Sequence, residues 1–168
     1  AYEAQWNIPS FVAMSEARDP ASIYREFDRV LRTDAAAQSN AMKPRVMKTP
    51  QFAEDLAPLL AQFPDAQLIV SRRNDDEVLR SSVSLVANQM AIQSDHADLG
   101  RIETEWKRKL ALRSQRMDDA LAAFKGPVAE VDFDELTLQL WRTKFSVGLM
   151  SRVHRLKDRC LIQVQRPQ

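Results

Sequence analysis

The chain has 168 residues, of which 45% are hydrophobic and 28% are charged, and its formal net charge is +1. These values are typical of a single soluble domain with a hydrophobic core, and they give no general reason to expect nucleic-acid binding. No apolar run approaches the roughly 20 residues that a membrane span needs, and the sequence shows no signal peptide. The one cysteine, Cys160, cannot form an internal disulfide, so we expect a cytoplasmic protein in a reducing compartment.

We expect residues 1–168 to form one domain with three segments, of which the first, residues 1–42, is helical. Residues 20–32 have apolar side chains at helical spacing and predict a helix whose inward face consists of Ile23, Phe27, Val30 and Leu31. Residues 34–41 are small and polar, and they predict a loop.

The middle segment, residues 43–136, alternates short apolar runs with helical patterns. Residues 45–47, 67–71 and 127–133 predict strands, because each run is flanked by turn or charged residues. Strands that alternate with helices predict an α/β fold in which a parallel sheet is flanked by helices. This segment is therefore the expected core of the domain.

Three helices are predicted between these strands. The first begins at Thr49-Pro50, a favourable N-cap followed by a favourable first helical residue, and its apolar stripe consists of Phe52, Leu56, Leu59, Leu60 and Phe63. The second begins near Asp75 and runs past Met90. The third spans about residues 97–124, and its core face consists of Ile102, Trp106, Leu110, Met117, Leu121 and Phe124.

Two arginines, Arg72 and Arg73, follow the apolar run at 67–71, and Ser81 lies about two turns into the next helix. The carboxyl ends of parallel strands face the ligand crevice of an open α/β sheet. An arginine there offers a planar, permanently charged fork for a phosphate, and the serine hydroxyl can donate to the same group. Surface arginines and a capping serine would explain the pattern without a ligand, so the pattern alone leaves both interpretations open.

Several short motifs occur in a defined order around these residues. Arg73-Asn74 is followed by Glu77-Val78 and by Ser81, and Lys48-Thr49-Pro50 precedes Arg73 by 25 positions. Together they resemble the 3′-phosphate-binding segment and the Lys-(Ser/Thr)-Pro element of sulfotransferases that use 3′-phosphoadenosine 5′-phosphosulfate (PAPS), especially a bacterial branch of that family. Weaker matches are residues 63–66, Ser94-Asp95-His96, Trp106 and residues 131–136. The resemblance therefore covers about residues 45–136 and, to a lesser degree, residues 2–32.

The resemblance implies a P-loop-like three-layer fold and a transferase that moves a sulfuryl group from PAPS to a hydroxyl or amine acceptor. It implies that Arg73 and Ser81 bind the 3′-phosphate, that Thr49 contributes to cofactor binding, and that Lys48 reaches the transferring group. His96 is the candidate catalytic base, and a surface or capping histidine is the alternative interpretation. Glu54 is a more distant candidate, for which a helix-surface glutamate is the alternative. No metal is expected. The acceptor is expected to be a small molecule, a lipid or a carbohydrate, and a homo-oligomer is compatible with the sequence.

The sequence departs from the family at the 5′-phosphosulfate site, where members have a loop such as Pro-Arg-Ser-Gly-Thr-Thr. The only glycines are Gly100, Gly126 and Gly148, and none lies in such a loop. Because the chain begins at Ala1, we expect that an N-terminal part is missing or that the fold and site are incomplete.

The last segment, residues 137–168, is basic and is expected to be helical. Between Thr137 and Gln168 it has seven basic residues and a single acidic one. This leaves two alternatives to an enzyme. The first is a non-catalytic sulfotransferase-like binding module. The second is a helical scaffold whose basic tail binds an acidic partner.

Overall fold

A computed structural model describes residues 6–39, 45–133 and 161–167 of the chain. In chain order the elements are α1 (Pro9–Ala17), α2 (Ala21–Ala37), β1 (Val46–Lys48), a 3₁₀ turn (Pro50–Ala53), α3 (Leu56–Gln62), β2 (Gln67–Arg73), α4 (Asp75–Gln93), α5 (Leu99–Ala123), β3 (Val128–Asp132) and β4 (Leu161–Pro167).

The four strands form one sheet in the order β1-β4-β2-β3, and each neighbouring pair is parallel. Helices connect β1 to β2 and β2 to β3, as parallel pairing requires. The predicted α/β fold, a parallel sheet flanked by helices, is therefore confirmed. The three predicted strands are present, and β2 extends two residues beyond its predicted end, so that Arg72 and Arg73 belong to the strand itself.

The prediction of a helical C-terminal segment is wrong for residues 161–167, which form β4 between β1 and β2. In the register, Lys48 pairs with Gln163 and Arg73 pairs with Pro167. The sequence of this stretch alternates apolar and polar residues at Ile162-Gln163-Val164-Gln165, a period of two that suits a strand. The slot between β1 and β2 offers backbone groups on both sides, which only a strand can pair.

The main core lies between the sheet and helices α2, α3 and α5. Every residue of the apolar stripe predicted after Thr49-Pro50 is buried in it, and it also contains Tyr24, Met47, Ala53, Ala66, Leu68, Val70, Met117 and Ala120. The stripe does not lie on one continuous helix, however. A 3₁₀ turn ends at Ala53, and α3 begins after Asp55, whose backbone is not helical (φ −114°, ψ 26°). Aspartate favours such a cap position over a helix interior.

Helices α4 and α5 pack against each other around a second core. Its buried residues are Val86, Ile102 and Trp106, and α5 then continues into the main core with Met117 and Ala120. Since α4 starts at the carboxyl end of β2 and α5 leads to the amino end of β3, the α4–α5 hairpin extends beyond the carboxyl edge of the sheet. A crevice therefore forms between that edge and the hairpin.

The N-terminal region differs from its prediction in two ways. Helix α2 continues to Ala37, so the loop predicted at 34–41 is wrong for its first four residues, because the alanines there favour a helix. The inward face is also rotated. Ile23 and Val30 are 40% and 63% exposed, whereas Tyr24, Phe27 and Leu31 pack in the main core. Helix α1, which lies within the segment 1–42 predicted to be helical, precedes α2.

Candidate functional site

A pocket of about 190 Å³ lies in the crevice at the carboxyl edge of the sheet. Its walls come from the end of β2, the first turns of α4, the 3₁₀ turn and the middle of α5. The polar side chains that line it are Gln51, Arg73, Ser81, Ser82 and Arg113. Arg73 and Ser81, which the sequence assigns to one phosphate, thus line the same pocket.

Arg73 is held from two sides at the mouth of this pocket. Its guanidinium carbon lies 4.8 Å from the centroid of the Phe133 ring, which directly follows β3. Its Nε lies 3.4 Å from Oε2 of Glu77, in the first turn of α4. This distance is long for a charged hydrogen bond, so the pair restrains Arg73 only weakly. About a quarter of the Arg73 side chain is exposed, which leaves it accessible to a ligand.

The first turn of α4 is built from polar residues that stabilise the helix start. The side chain of Asn74 accepts a hydrogen bond of 3.2 Å from the backbone N–H of Glu77, and Asp75 and Asp76 complement the positive end of the helix dipole. Burial, together with the neighbouring Asp76 carboxylate, raises the pKa of Asp75. Because carboxylates already occupy the helix start, an anion is better accommodated beside Ser81, further along the helix.

The residues after β1 lie at the same edge of the sheet. Lys48 is the last residue of β1, and its side chain is exposed. The Thr49 hydroxyl donates a hydrogen bond to Oε1 of Gln51, and Gln51 lines the pocket. The connection that begins at Lys48 therefore runs directly into the pocket wall.

His96 is not brought to this pocket. It lies in the turn between α4 and α5, where its backbone N–H donates to Oγ of Ser94 at 3.3 Å. Helix α4 continues for 12 residues from Ser81 to its end at Gln93. At 1.5 Å per residue this is a rise of about 18 Å, so the histidine belongs to the far tip of the hairpin.

Sequence reasoning missed a buried ionic cluster next to the pocket, formed by Glu16, Glu54, Lys109 and Arg113. The Lys109 side chain is 2% exposed, and its Nζ lies 3.1 Å from Glu16 and 3.6 Å from Glu54. The Nε of Arg113 donates to Oε2 of Glu54 at 3.1 Å. Glu54, for which a helix-surface position was the alternative expectation, is thus almost fully buried.

A signal for this cluster was present in the sequence of α5. The buried residues of the helix recur at steps of three and four, and they are Ile102, Trp106, Lys109, Arg113, Met117 and Ala120. A lysine and an arginine inside an apolar stripe need buried partners of opposite charge. That pattern indicates a buried ion-pair network even without a structure.

A larger cavity of about 610 Å³ lies on the other side of the cluster, between the α1–α2 connection, α3 and α5. Asp55 lines it and accepts a hydrogen bond of 3.3 Å from the Tyr24 hydroxyl. Burial and the neighbouring Glu54 carboxylate raise the pKa of Asp55. Glu54 also lines this cavity, so the ionic cluster forms a wall between it and the smaller pocket.

Within the residues that the structure describes, no group of three His, Cys, Asp or Glu side chains is arranged to hold a metal ion. In the same residues, no helix combines the length and apolar character needed to cross a membrane.

Comparison with known families adds an independent finding. The model of the sulfotransferase family matches residues 2–144, a range that includes the β1–β2 region, the α4–α5 hairpin and every residue lining the smaller pocket. No curated protein matches the chain significantly, and no solved structure does so either. Since the matched range covers most of the sequence, the chain belongs to the sulfotransferase family.

Proposed function

We propose that the smaller pocket binds the 3′-phosphate of PAPS and that the chain transfers the sulfuryl group of this donor to a hydroxyl or amine acceptor. Membership of the family supports sulfuryl transfer as the type of reaction. The observation that best supports the donor is that Arg73 and Ser81 line one pocket at the carboxyl edge of a parallel sheet. This edge is where ligands bind in open α/β sheets.

The size and lining of the pocket suit one anionic group. Its volume of about 190 Å³ is below the roughly 300 Å³ at which pockets for whole small molecules begin. In our proposal the Arg73 guanidinium binds the phosphate oxygens, and the hydroxyl of Ser81 donates one further hydrogen bond. The remainder of the nucleotide would lie outside, over the sheet edge.

Lys48 is proposed to act on the transferring group. In the reaction a bond forms between sulfur and the acceptor oxygen or nitrogen, the bond from sulfur to the bridging phosphate oxygen breaks, and the proton of the acceptor passes to solvent water. Negative charge builds up on the departing bisphosphate, and an ammonium group at the end of β1 would stabilise that charge. We do not include His96 in this step, because α4 carries it away from the pocket.

The acceptor is proposed to be a small molecule, a lipid or a carbohydrate that offers a hydroxyl or an amine. A panel of acceptors from these classes, incubated with PAPS labelled with ³⁵S, would identify which class becomes labelled.

The test of the donor site compares two nucleotides that differ only in the 3′-phosphate. By isothermal titration calorimetry, adenosine 3′,5′-bisphosphate is expected to bind at least about tenfold more tightly than adenosine 5′-monophosphate, because only the former can fill the pocket with a charged group. Equal affinities for the two nucleotides would show that the pocket is not a 3′-phosphate site.

Lys48→Met is expected to reduce the rate of sulfuryl transfer by about 100-fold or more while leaving the affinity for adenosine 3′,5′-bisphosphate nearly unchanged. The control is Lys107→Met, which removes an exposed lysine that pairs with Glu103 on α5. Transfer of ³⁵S to the acceptor panel measures the rate, and calorimetry measures the affinity. If Lys48→Met and Lys107→Met transfer at the same rate, Lys48 has no role in the chemical step.

A further inference from the structure

A second cation, which is buried, lines the pocket, and none of the sequence motifs includes it. Arg113 comes from the middle of α5, its side chain is only 6% exposed, and it lines the pocket together with Arg73 and Ser81. The two arginines approach the pocket from different elements, one from the end of a strand and one from the hairpin.

Arg113 is held in a fixed orientation by its neighbours. Its Nε donates to Oε2 of Glu54 at 3.1 Å, and its guanidinium carbon lies 5.3 Å from the centroid of the Trp106 ring. Trp106 is itself 7% exposed and belongs to the second core. A side chain fixed in this way loses little conformational freedom when a ligand binds, which favours affinity.

Arg113 shares its carboxylate partner with a second cation. Glu54 also faces Lys109, whose Nζ lies 3.6 Å from Glu54 and 3.1 Å from Glu16. On the other wall, Arg73 makes a long ionic contact of 3.4 Å to Glu77. The pocket therefore has two guanidinium groups on its walls and no carboxylate among the residues that line it.

We propose that Arg113 is a binding residue for the 3′-phosphate and contacts it from the side opposite Arg73. This inference rests on the proposed function and names an additional residue of the same site. A pocket of about 190 Å³ leaves a phosphate close to both arginines. A phosphate monoester carries a charge of about −1.5 to −2 at pH 7, which two guanidinium groups match better than one.

The experiment measures how strongly each variant distinguishes adenosine 3′,5′-bisphosphate from adenosine 5′-monophosphate. Arg113→Met is expected to weaken binding of the bisphosphate by about tenfold or more and to leave the monophosphate affinity nearly unchanged. Arg113→Lys keeps the charge without the planar fork and should give an intermediate loss. Arg116→Met is the matched control, since Arg116 lies one turn further along α5 and lines the larger cavity.

Arg113→Met removes one of the cations beside the buried Glu54, so a loss of binding must be distinguished from a folding defect. The double variant Glu54→Gln with Arg113→Met removes both charges of the pair, and circular dichroism checks that it is folded. It is expected to lose the same discrimination. If the folded double variant or Arg113→Lys distinguishes the nucleotides as well as the parent protein does, Arg113 is a structural residue only. If the parent protein itself does not distinguish them, the proposed function fails instead.

Discussion

Arg73→Ala is expected to weaken the binding of adenosine 3′,5′-bisphosphate by roughly 2 to 4 kcal/mol, or about 30- to 900-fold. In the proposed site its guanidinium makes charge-assisted hydrogen bonds to the phosphate, and no other residue at the end of β2 can replace them. The loss should be specific for the 3′-phosphate, so the affinity for adenosine 5′-monophosphate should change little. Calorimetry with both nucleotides measures the two effects.

The stability of the protein should be almost unaffected by this substitution. Arg73 and Glu77 form a partly exposed pair with a distance of 3.4 Å, and such pairs contribute between about 0 and 1 kcal/mol. The contact with Phe133 adds a similarly small amount. A loss of affinity therefore reports on the ligand contact and not on the fold.

The neighbouring residue provides the matched control. Arg72 also lies in β2, but successive side chains of a strand point to opposite faces, and Arg72 pairs with Glu130 of β3. Arg72→Ala removes the same charge one residue away and should change the bisphosphate affinity by less than about threefold. Glu77→Gln should have the opposite effect and tighten binding, because it removes the carboxylate that competes for Arg73.

Two outcomes would contradict the assignment of Arg73. One is an unchanged bisphosphate affinity in Arg73→Ala. The other is an equal loss in Arg72→Ala, which would indicate a general effect of surface charge on a charged ligand. If the effect were general, the loss of bisphosphate affinity in both variants would shrink steeply with added salt, because salt screens exposed charges. The loss of a half-buried contact depends less on salt.

The parts of the site that the sequence predicted depend on local signals. One stretch of about 15 consecutive residues contains the apolar run before Arg73, the acidic first turn at Asp75 and Ser81 at its characteristic spacing. A strand followed by a helix fixes where such residues lie relative to one another, because the geometry of each element is regular. The convergence of Arg73 and Ser81 on one pocket follows from that short stretch.

The parts that the sequence did not predict depend on contacts between distant segments. The strand β4 pairs with β1 and β2, which lie about 100 residues earlier, and its own short alternation was outweighed by the basic character of the region. Lys109 and Arg113 were overlooked because their partners, Glu16 and Glu54, are on α1 and beside the 3₁₀ turn. Periodicity shows that a position is buried but does not identify the residue that contacts it in the folded protein.

A second large effect is expected for the stability of the chain. Lys109→Met should lower the free energy of unfolding by about 3 kcal/mol or more, because removing one partner of a buried ion pair is strongly destabilising. Lys109 is 2% exposed and faces both Glu16 and Glu54, so its removal takes one cationic partner from each of two largely buried carboxylates, which keep Arg108 and Arg113. Methionine fills a similar volume, which limits any cavity effect. Urea unfolding monitored by tryptophan fluorescence measures the change.

Lys107→Met is the control for this prediction as well. It lies two residues earlier on the same helix, its side chain is 61% exposed, and it pairs with Glu103 at 2.6 Å. An exposed pair of this kind should contribute less than about 1 kcal/mol. If Lys107→Met and Lys109→Met lower the stability equally, the buried cluster has no special role in holding α5 against the N-terminal region.

Adding Glu16→Gln to Lys109→Met distinguishes the loss of a cationic partner of Glu16 from a loss of packing. Burial alone would raise the pKa of Glu16, but hydrogen bonds from Arg108 and Lys109 outweigh it and lower that pKa. A lowered pKa means that Glu16 stabilises the fold at neutral pH and loses this contribution as the pH falls through its folded-state pKa. Without Lys109 the pKa of Glu16 rises, so the difference in stability between Lys109→Met and the parent protein should narrow under acidic conditions.

The double variant should already be more stable than Lys109→Met at neutral pH. The amide that replaces the Glu16 carboxylate carries no charge and therefore needs no cationic partner. Two results together would contradict this explanation: a difference in stability between Lys109→Met and the parent protein that is constant with pH, and a double variant no more stable than Lys109→Met. They would indicate that Lys109 stabilises α5 through the packing of its aliphatic chain.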